Sequence, residues 1–381
     1  MDDIRCLQLL TAQMHLESSE DADCYALSPH RNNSIYICDA IQSNGTRIKL
    51  LKTLLTSVCE RNCYYCPFRS GRDFRRASFS PDEFARVFMH LNTISAVDGI
   101  FLSSGVINGG VFTQDKLLDT AHLLRKKYKF NGYIHLKIMP GAEKSQVEQA
   151  MLLADRVSIN LEAPNTDKLN LLAPGKIFDT ELLQPLKWVD EIRQSRSAHT
   201  AWKGNWPSSV TQFVVGAVGD TDLELLSTSQ RLYHQFHLKR AYYSAFSPIA
   251  DTPLENAPPA PPAREHRLYE ASFLLRDYGF DAEDLEYDAT GNLPLDKDPK
   301  LAWAQRNLTQ PIEINRADPM ELLRIPGIGK KGVSAIITAR QSTPIKSLSE
   351  LRPMGVNISR AAPFILLNGK LPARQLSFNF G

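Results

Sequence analysis

The run Leu50-Leu51-Lys52-Thr53-Leu54-Leu55-Thr56-Ser57-Val58-Cys59-Glu60-Arg61-Asn62-Cys63-Tyr64-Tyr65-Cys66-Pro67 decides how the rest of the chain is read. Its first half belongs to an apolar, β-prone stretch from Ile48 to Thr56, and its second half sets three of the six cysteines within eight residues. Thiolates four and three residues apart on one short loop can converge on a single inorganic centre. Structural zinc wants four ligands, and no fourth cysteine or histidine follows closely behind Cys66. A zinc knob would need a remote His30 or His90, while a trio of simply buried cysteines would need no metal. A 4Fe-4S cluster held by three cysteines leaves one iron without a protein ligand, the open position a metal site needs to bind a substrate or cofactor.

Working outward, short apolar runs alternate with helical patterns across residues 46 to 250. The predicted strands are Ile48 to Thr56, Gly99 to Ser103, Gly132 to Ile138, Arg156 to Leu161, Thr211 to Val218 and Arg240 to Phe246. Ser80-Pro81-Asp82-Glu83 is a capping box with proline at the first helical position, followed by Phe84, Val87, Phe88 and Leu91 at helical spacing. Thr113 to Tyr128, Glu143 to Leu153, Asp179 to Arg193 and Thr221 to His237 supply further helices. Such alternation predicts an α/β fold of parallel strands joined by crossovers, as an open sheet or a partial or complete barrel, with the active face at the loops after the strands. In the fourth strand, alternation puts Ser158, Asn160 and Glu162 on one face, and three polar side chains there would be costly in a packed core.

Cys59-x-x-x-Cys63-x-x-Cys66, with aromatic Tyr65 before the last cysteine and an apolar strand in front, resembles the signature of the radical S-adenosylmethionine (SAM) superfamily. The resemblance implies a partial (βα)6 TIM-like barrel, agreeing with the six strands counted without the motif. It implies a 4Fe-4S cluster on Cys59, Cys63 and Cys66 whose open iron chelates S-adenosylmethionine. An electron from a donor such as a flavodoxin or ferredoxin would then split the cofactor to a 5'-deoxyadenosyl radical that abstracts hydrogen from a substrate. Cofactor contacts are implied for Tyr65, for the small-residue turn Ser103-Ser104-Gly105, and for Ser158, Asn160 and Glu162. Lys137 is placed to pair with the cofactor's carboxylate or to snorkel at the surface, and Tyr242, Tyr243 and Ser247 to line the pocket or to pack.

Phe68-Arg69-Ser70-Gly71-Arg72-Asp73-Phe74-Arg75-Arg76 interleaves arginines with phenylalanines. Arg72, Arg75 and Arg76 are candidates to grip a phosphate backbone, the alternative being a solvated loop pinned by its aromatic rings. Residues 311 to 381 hold ten Lys/Arg against four Asp/Glu, so a basic tail is hidden in a chain whose formal net charge is only +2. In that tail Pro326-Gly327-Ile328-Gly329-Lys330-Lys331 stands between two helical patterns, and Leu323-Arg324-Ile325-Pro326-Gly327-Ile328-Gly329 recurs in degenerate form as Leu351-Arg352-Pro353-Met354-Gly355-Val356-Asn357 at an offset of 28. Two glycines around one apolar residue permit a tight turn with Ile328 as its anchor, and amides at the next helix start would face a phosphate beside Lys330 and Lys331. This resembles a helix-hairpin-helix motif, whose second turn would depend on Asn357 tolerating positive φ. The glycines could equally serve packing alone in a small helical domain.

At 381 residues the chain has room for about two to three domains. The sequence predicts an N-terminal extension (1–45), the barrel (46–255), a helical connector entered through the prolines of Pro253 to Pro262 (256–308), and a small all-α helix-hairpin-helix domain (309–381). With 43% hydrophobic and 23% charged residues the composition is that of a soluble globular protein. The start shows no secretory pattern, no run approaches a membrane span, and six cysteines make no disulfide framework, which together predict a cytoplasmic protein without a membrane partner. Cys24 and Cys38 are either radical-quenching thiols or ordinary buried residues.

Domain order and the runs Phe101-Leu102-Ser103-Ser104-Gly105 and Tyr243-Ser244-Ala245-Phe246-Ser247-Pro248 resemble a bacterial family of DNA modification or repair radical SAM proteins. That resemblance implies modification or repair of nucleotides in DNA, backbone contacts without sequence reading, and a uracil-DNA glycosylase-like partner. Radical modification of RNA or of a DNA-bound protein is the alternative within enzymes, and a metal-stabilised, non-catalytic DNA-binding protein is the alternative outside them.

Overall fold

The computed structural model describes residues 3–12, 14, 35–41 and 45–372, and the backbone of 22–26. The chain divides into two compact units, Met1–Asp220 with Arg231–Glu265, and Thr221–Gln230 with His266–Gly381.

Unit 1 is built on an eight-stranded sheet whose strands lie side by side in chain order. After α1 (Asp3–Thr11), β1 (Ala22–Ala26), β2 (Tyr36–Ile41) and β3 (Arg47–Leu54) pair antiparallel. From β3 onward, β4 (Gly99–Ser103), β5 (Tyr133–Lys137), β6 (Arg156–Ser158), β7 (Ser208–Val215) and β8 (Arg240–Ala245) are all parallel. Between them in the chain run α2 (Pro81–Thr93), α3 (Gly109–His122), α4 (Lys144–Leu153), α5 (Thr166–Leu172), α6 (Gln184–Ser195) and α7 (Asp222–Phe236), the last of which belongs to unit 2 as far as Gln230. A parallel sheet covered by its crossovers reads as near-continuous apolar runs, and Leu50, Leu51, Ile100, Phe101, Ile134, Leu136, Val157 and Phe213 are essentially without solvent exposure. The curled parallel sheet is a half-barrel, one of the arrangements the alternation left open and the one the family resemblance implied.

α2 shows how local chemistry sets an element. Ser80 Oγ accepts from the Glu83 amide at 3.4 Å and Glu83 Oε2 accepts from the Ser80 amide at 2.9 Å, while Phe84, Val87, Phe88 and Leu91 are buried. The first 45 residues are more than an extension, because β1 and β2 lengthen the sheet and Ile37, Cys38 and Ala40 are buried in it. Cys38 is moreover disulfide-bonded, so it is no free thiol for quenching a radical. The side chain of Cys24 lies outside the described residues, as does His30.

Unit 2 takes in most of α8 (Pro262–Asp277), then α9 (Pro299–Asn307), β9 (Ile312–Glu313), α10 (Pro319–Arg324), α11 (Lys330–Ser342), α12 (Leu348–Leu351), α13 (Ile358–Ala361) and β10 (Ile365–Leu366). β9 and β10 pair in parallel, so the segment expected to be all-α is closed by a short β-ladder. Residues 266–308 fall in the same compact unit as the tail, and no separate connector is set apart. Its core gathers Ile314, Leu322, Ile325, Ile328, Ile336, Ile345, Leu351 and Ile365.

The two repeated turns are superposable in their backbone logic. Gly327 has φ +82° and Gly355 has φ +79°, positions that disfavour a side chain. Gly329, at φ −105°, precedes α11 as its cap, and Asn357, at φ −79°, precedes α13 and accepts from the Arg360 amide with its side chain. Asn357 therefore replaces the capping glycine, not the left-handed one, and the second turn never required asparagine to take a positive φ. The turns are tied to each other by the Asn357 amide donating to the Gly327 carbonyl at 2.9 Å.

Candidate active site

The three cysteines sit on the loop leaving β3, where the sheet's carboxyl ends open. Two neighbours shape that loop. On one side the Gly105 amide donates to the Thr56 carbonyl at 2.7 Å, the Glu60 amide to the Val106 carbonyl at 2.8 Å, and the Val106 amide to Cys59 Sγ at 3.4 Å. A Cβ on Gly105 would stand 2.2 Å from the Val58 carbonyl oxygen, so glycine is what lets these backbones meet. On the other side the Tyr64 amide donates to the Leu172 carbonyl at 2.9 Å, and Arg61 reaches Glu181 Oε1 at 2.6 Å and the Gly175 carbonyl. The Phe68 amide donates to Cys66 Sγ at 3.4 Å. Amides aimed at cysteine sulfurs lower the charge those sulfurs carry toward a cluster.

A cavity of about 160 Å³, open to solvent, lies inside this loop. Cys59, Cys63, Cys66, Tyr65, Ser103, Ser104, Gly105, Asn160, Glu162, Lys137 and Ser247 all line it. The fold thus brings together residues the sequence nominated at the ends of five separate strands. Ser158 is not among the lining residues; it is buried one step back, within β6, which ends before Asn160. Tyr243 is a packing residue, fully buried and stacked on Phe213 at 6.0 Å between centroids, and Tyr242 is likewise buried outside the cavity lining.

Sequence reasoning missed Lys176. Its ammonium donates to Glu162 Oε1 at 2.8 Å, with the two side chains only 9% and 5% exposed. Opposing effects act on it: burial would lower its pKa, while Cys63 and Glu162 raise it, and the net direction is upward. Burial pushes the Cys63 thiol up, with Lys176 opposing. Burial pushes Cys66 up further and holds the Tyr65 phenol well above the ordinary tyrosine value, the Glu162 carboxylate adding to the latter. Glu162 has φ +66°, an unusual backbone state for a glutamate. Its place in an Ala-Pro-Gly-Lys loop, 14 residues after Glu162, gives Lys176 no periodic signal.

The residues fit a cluster and a polar cofactor. Ser104 Oγ and Glu162 Oε2 are buried without a hydrogen-bond partner and belong to cavity-lining residues, so the site offers acceptors that a bound molecule would satisfy. Among the described residues no three His, Cys, Asp or Glu side chains surround one metal-ion position, and His90 does not line the cavity. Among the described residues no zinc knob is built, whereas a cuboidal cluster takes each thiolate on a different iron.

The arginine loop is a brace. Arg76 donates to the carbonyls of Ser57, Phe68, Arg69 and Arg72 at 2.7, 3.1, 2.7 and 3.1 Å and lies 4.3 Å over the Phe74 ring. Arg72 donates to the Ala250 and Pro67 carbonyls at 2.9 and 3.1 Å. Their donors are engaged by backbone, which corrects the phosphate-gripping reading for these two and extends the aromatic-pinned alternative; Arg75 is exposed on the same loop. In unit 2, Pro326 and Ile328 are buried, and the Ile328 amide is taken by the Ile325 carbonyl, so these two anchor the turn. Lys330 pairs with Asp277 at 2.8 Å, Lys331 is exposed, and Gly329 offers α11 no side-chain cap.

Among solved structures, the chain is similar to methylornithine synthase (14% identity, 60% of this chain and 61% of that one, TM-score 0.46). It is similar to the FeFe-hydrogenase maturase HydG from Carboxydothermus hydrogenoformans (16%, 60% and 51%, TM-score 0.44). It is also similar to a radical SAM methyltransferase from Sphaerobacter thermophilus (13%, 71% and 79%, TM-score 0.43). The chain spans 61% or less of the first two of these proteins. No curated protein matches the chain. Among the described residues no helix is long and apolar enough to cross a membrane. The family model of the radical SAM superfamily matches residues 53–231, from the end of β3 into α7. Residues 53–231 are thus a radical SAM domain, the domain of an enzyme superfamily whose proteins bind a 4Fe-4S cluster and S-adenosylmethionine.

Proposed function

We propose that the protein is a radical SAM enzyme that modifies or repairs nucleotides in DNA, its C-terminal turns acting as helix-hairpin-helix contacts to the phosphate backbone. Cys59, Cys63 and Cys66 would hold the cluster; Tyr65, Ser103, Ser104, Gly105, Asn160 and Glu162 would surround the cofactor. When bound, the pair supplies a carbon radical able to take hydrogen from an unactivated position. The protein's own residues orient the cofactor and exclude water.

The observation that carries the DNA reading is the paired turn of unit 2. Two left-handed glycines place successive helix starts side by side, α11 begins without a side-chain cap, and exposed Lys331 stands at its first turn. Uncapped amides at a helix N-terminus favour a phosphate irrespective of base sequence. A flavodoxin or ferredoxin is proposed as electron donor, and a uracil-DNA glycosylase-like protein as partner, the latter on the family resemblance alone.

Anaerobic reconstitution followed by dithionite tests the first half: cleavage of S-adenosylmethionine to 5'-deoxyadenosine is expected, and Cys63→Ala abolishes it. An intact cluster without any cleavage overturns the enzyme reading. For the second half, duplex DNA binding should weaken steeply with salt, and Lys331→Glu should weaken it uniformly across sequences while cleavage persists. Because unit 2 takes in all of His266–Gly381 as well as Thr221–Gln230, a point substitution is preferable to a truncation at residue 311, which would cut through its fold. Binding that is insensitive to salt and to Lys331→Glu refutes the assignment.

A further inference from the structure

Buried ion pairs are rarely kept for stability, since desolvating both charges offsets most of their attraction. The pair between Lys176 and Glu162 is almost wholly buried, yet it lies in the cavity wall and not in the packed core. It is also elaborately held. The Glu162 amide donates to the Gln212 carbonyl at 3.0 Å and its carbonyl accepts from the Val214 amide at 2.8 Å, which fixes Glu162 in its left-handed backbone state against β7. A non-glycine residue held in that state by its surroundings points to function. On the other side, the Lys176 amide donates to the Ala173 carbonyl at 3.0 Å, and the preceding Gly175 carbonyl is gripped by Arg61, two residues before Cys63. The loop bearing Lys176 and the loop bearing the cysteines are therefore fastened together. Lys176 also lines the same cavity as Cys59, Cys63 and Cys66.

We infer that Lys176 is a positioning residue for electron entry: anchored by Glu162, its ammonium stands beside the cysteine loop and makes the cluster held there easier to reduce. The inference rests on the cysteines holding a 4Fe-4S cluster and is independent of any DNA substrate. The step is one electron passing from an external reductant, which is oxidised, to the cluster, which goes from the 2+ to the 1+ state; no atom is transferred. A fixed positive charge in a low-dielectric wall favours the more negative product.

The test is a dithionite titration of the reconstituted full chain, followed by electron paramagnetic resonance, after iron and sulfide content has been measured. Absence of a cluster in the wild-type chain would refute the underlying site reading before any variant is compared. With clusters intact, Lys176→Met should lower the reduction equilibrium constant about tenfold, equivalent to about 59 mV for a one-electron couple. Lys176→Arg should restore most of it. A wild-type potential in Lys176→Met overturns the inference, as does Lys176→Arg behaving like Lys176→Met. If Lys176 only props the wall, cofactor affinity falls in these variants and the potential stays put, which also overturns it. Should Lys176→Met fail to assemble a cluster, Lys176→Gln decides in its place: a lowered potential supports the inference and an unchanged one overturns it.

Discussion

Replacing Gly105 by alanine tests whether close backbone approach builds the cysteine loop. The new Cβ would sit 2.2 Å from the Val58 carbonyl oxygen, 2.9 Å from its carbon and 3.1 Å from Cys59 Cβ. Real contacts start near 3.0 Å, so the two backbones must separate by most of an ångström. No flexible side-chain tip can absorb this, because the first two obstacles are main chain. The bonds that must stretch are those from Gly105 to Thr56, from Glu60 to Val106 and from Val106 to Cys59 Sγ. Overpacking of this kind costs about 1–3 kcal/mol, which lowers Tm by roughly 2–12 °C in a unit of this size. The larger effect should fall on the site, since Cys59 moves with Val58. Calorimetry of the chain as purified and iron content after reconstitution are the assays. Gly175→Ala is the control, a glycine with nothing within 4 Å of the added methyl and no positive φ. Full iron content and an unchanged Tm for Gly105→Ala would refute the reasoning, and so would an equal loss in the control.

Two further outcomes concern unit 2. Lys300 is 8% exposed and donates to the Ile328 carbonyl at 2.6 Å; burial pushes its pKa down to about 7, Arg360 adding to the effect and Asp298 opposing it. Its folded pKa lies below its unfolded one, so the folded state binds fewer protons between about pH 7 and about pH 10.5, and stability rises with pH across that window by at most about 1.4 kcal/mol per unit. Urea unfolding at pH 7.5 and 9.5 should show this rise, and Lys300→Met should flatten it; an equal slope in both proteins contradicts the assignment. Gly327→Ala combines a φ of +82° with a Cβ 2.5 Å from the Asn357 carbonyl oxygen, whereas Gly355→Ala has φ +79° and open space. Denaturant titrations should therefore rank Gly327→Ala clearly worse, with Gly355→Ala costing about 1 kcal/mol, and the reverse order would break the account of the paired turns.

Much of unit 1 was legible because its signals are local. All six parallel strands fall where the apolar runs lie, and the Ser80 cap and its buried face follow from four consecutive residues. The three-cysteine loop was equally readable, since its spacing is covalent. The antiparallel pair β1 and β2 went unread, although Ile35 to Ile37 offers an apolar cue; strands that follow one another without an intervening helix lack the alternation that revealed the others. Phe68 to Arg76 misled for the opposite reason: its composition invites a phosphate, but carbonyls contributed by Ser57, Pro67 and Ala250 occupy the donors of Arg72 and Arg76.

By itself the sequence determined the alternation of strand and helix, the cluster-bearing loop and the two glycine turns, because each is set by residue type and short-range spacing. Only the tertiary structure decided which polar residues share the cavity. Ser158 and Glu162 look alike by alternation, yet β6 ends between them and only Glu162 reaches the opening. Lys176 becomes part of the site solely because Arg61 and Tyr64 fasten a distant loop to the cysteines. A buried charge is recognisable from the partner that neutralises it, and partners distant in sequence are named by the fold alone.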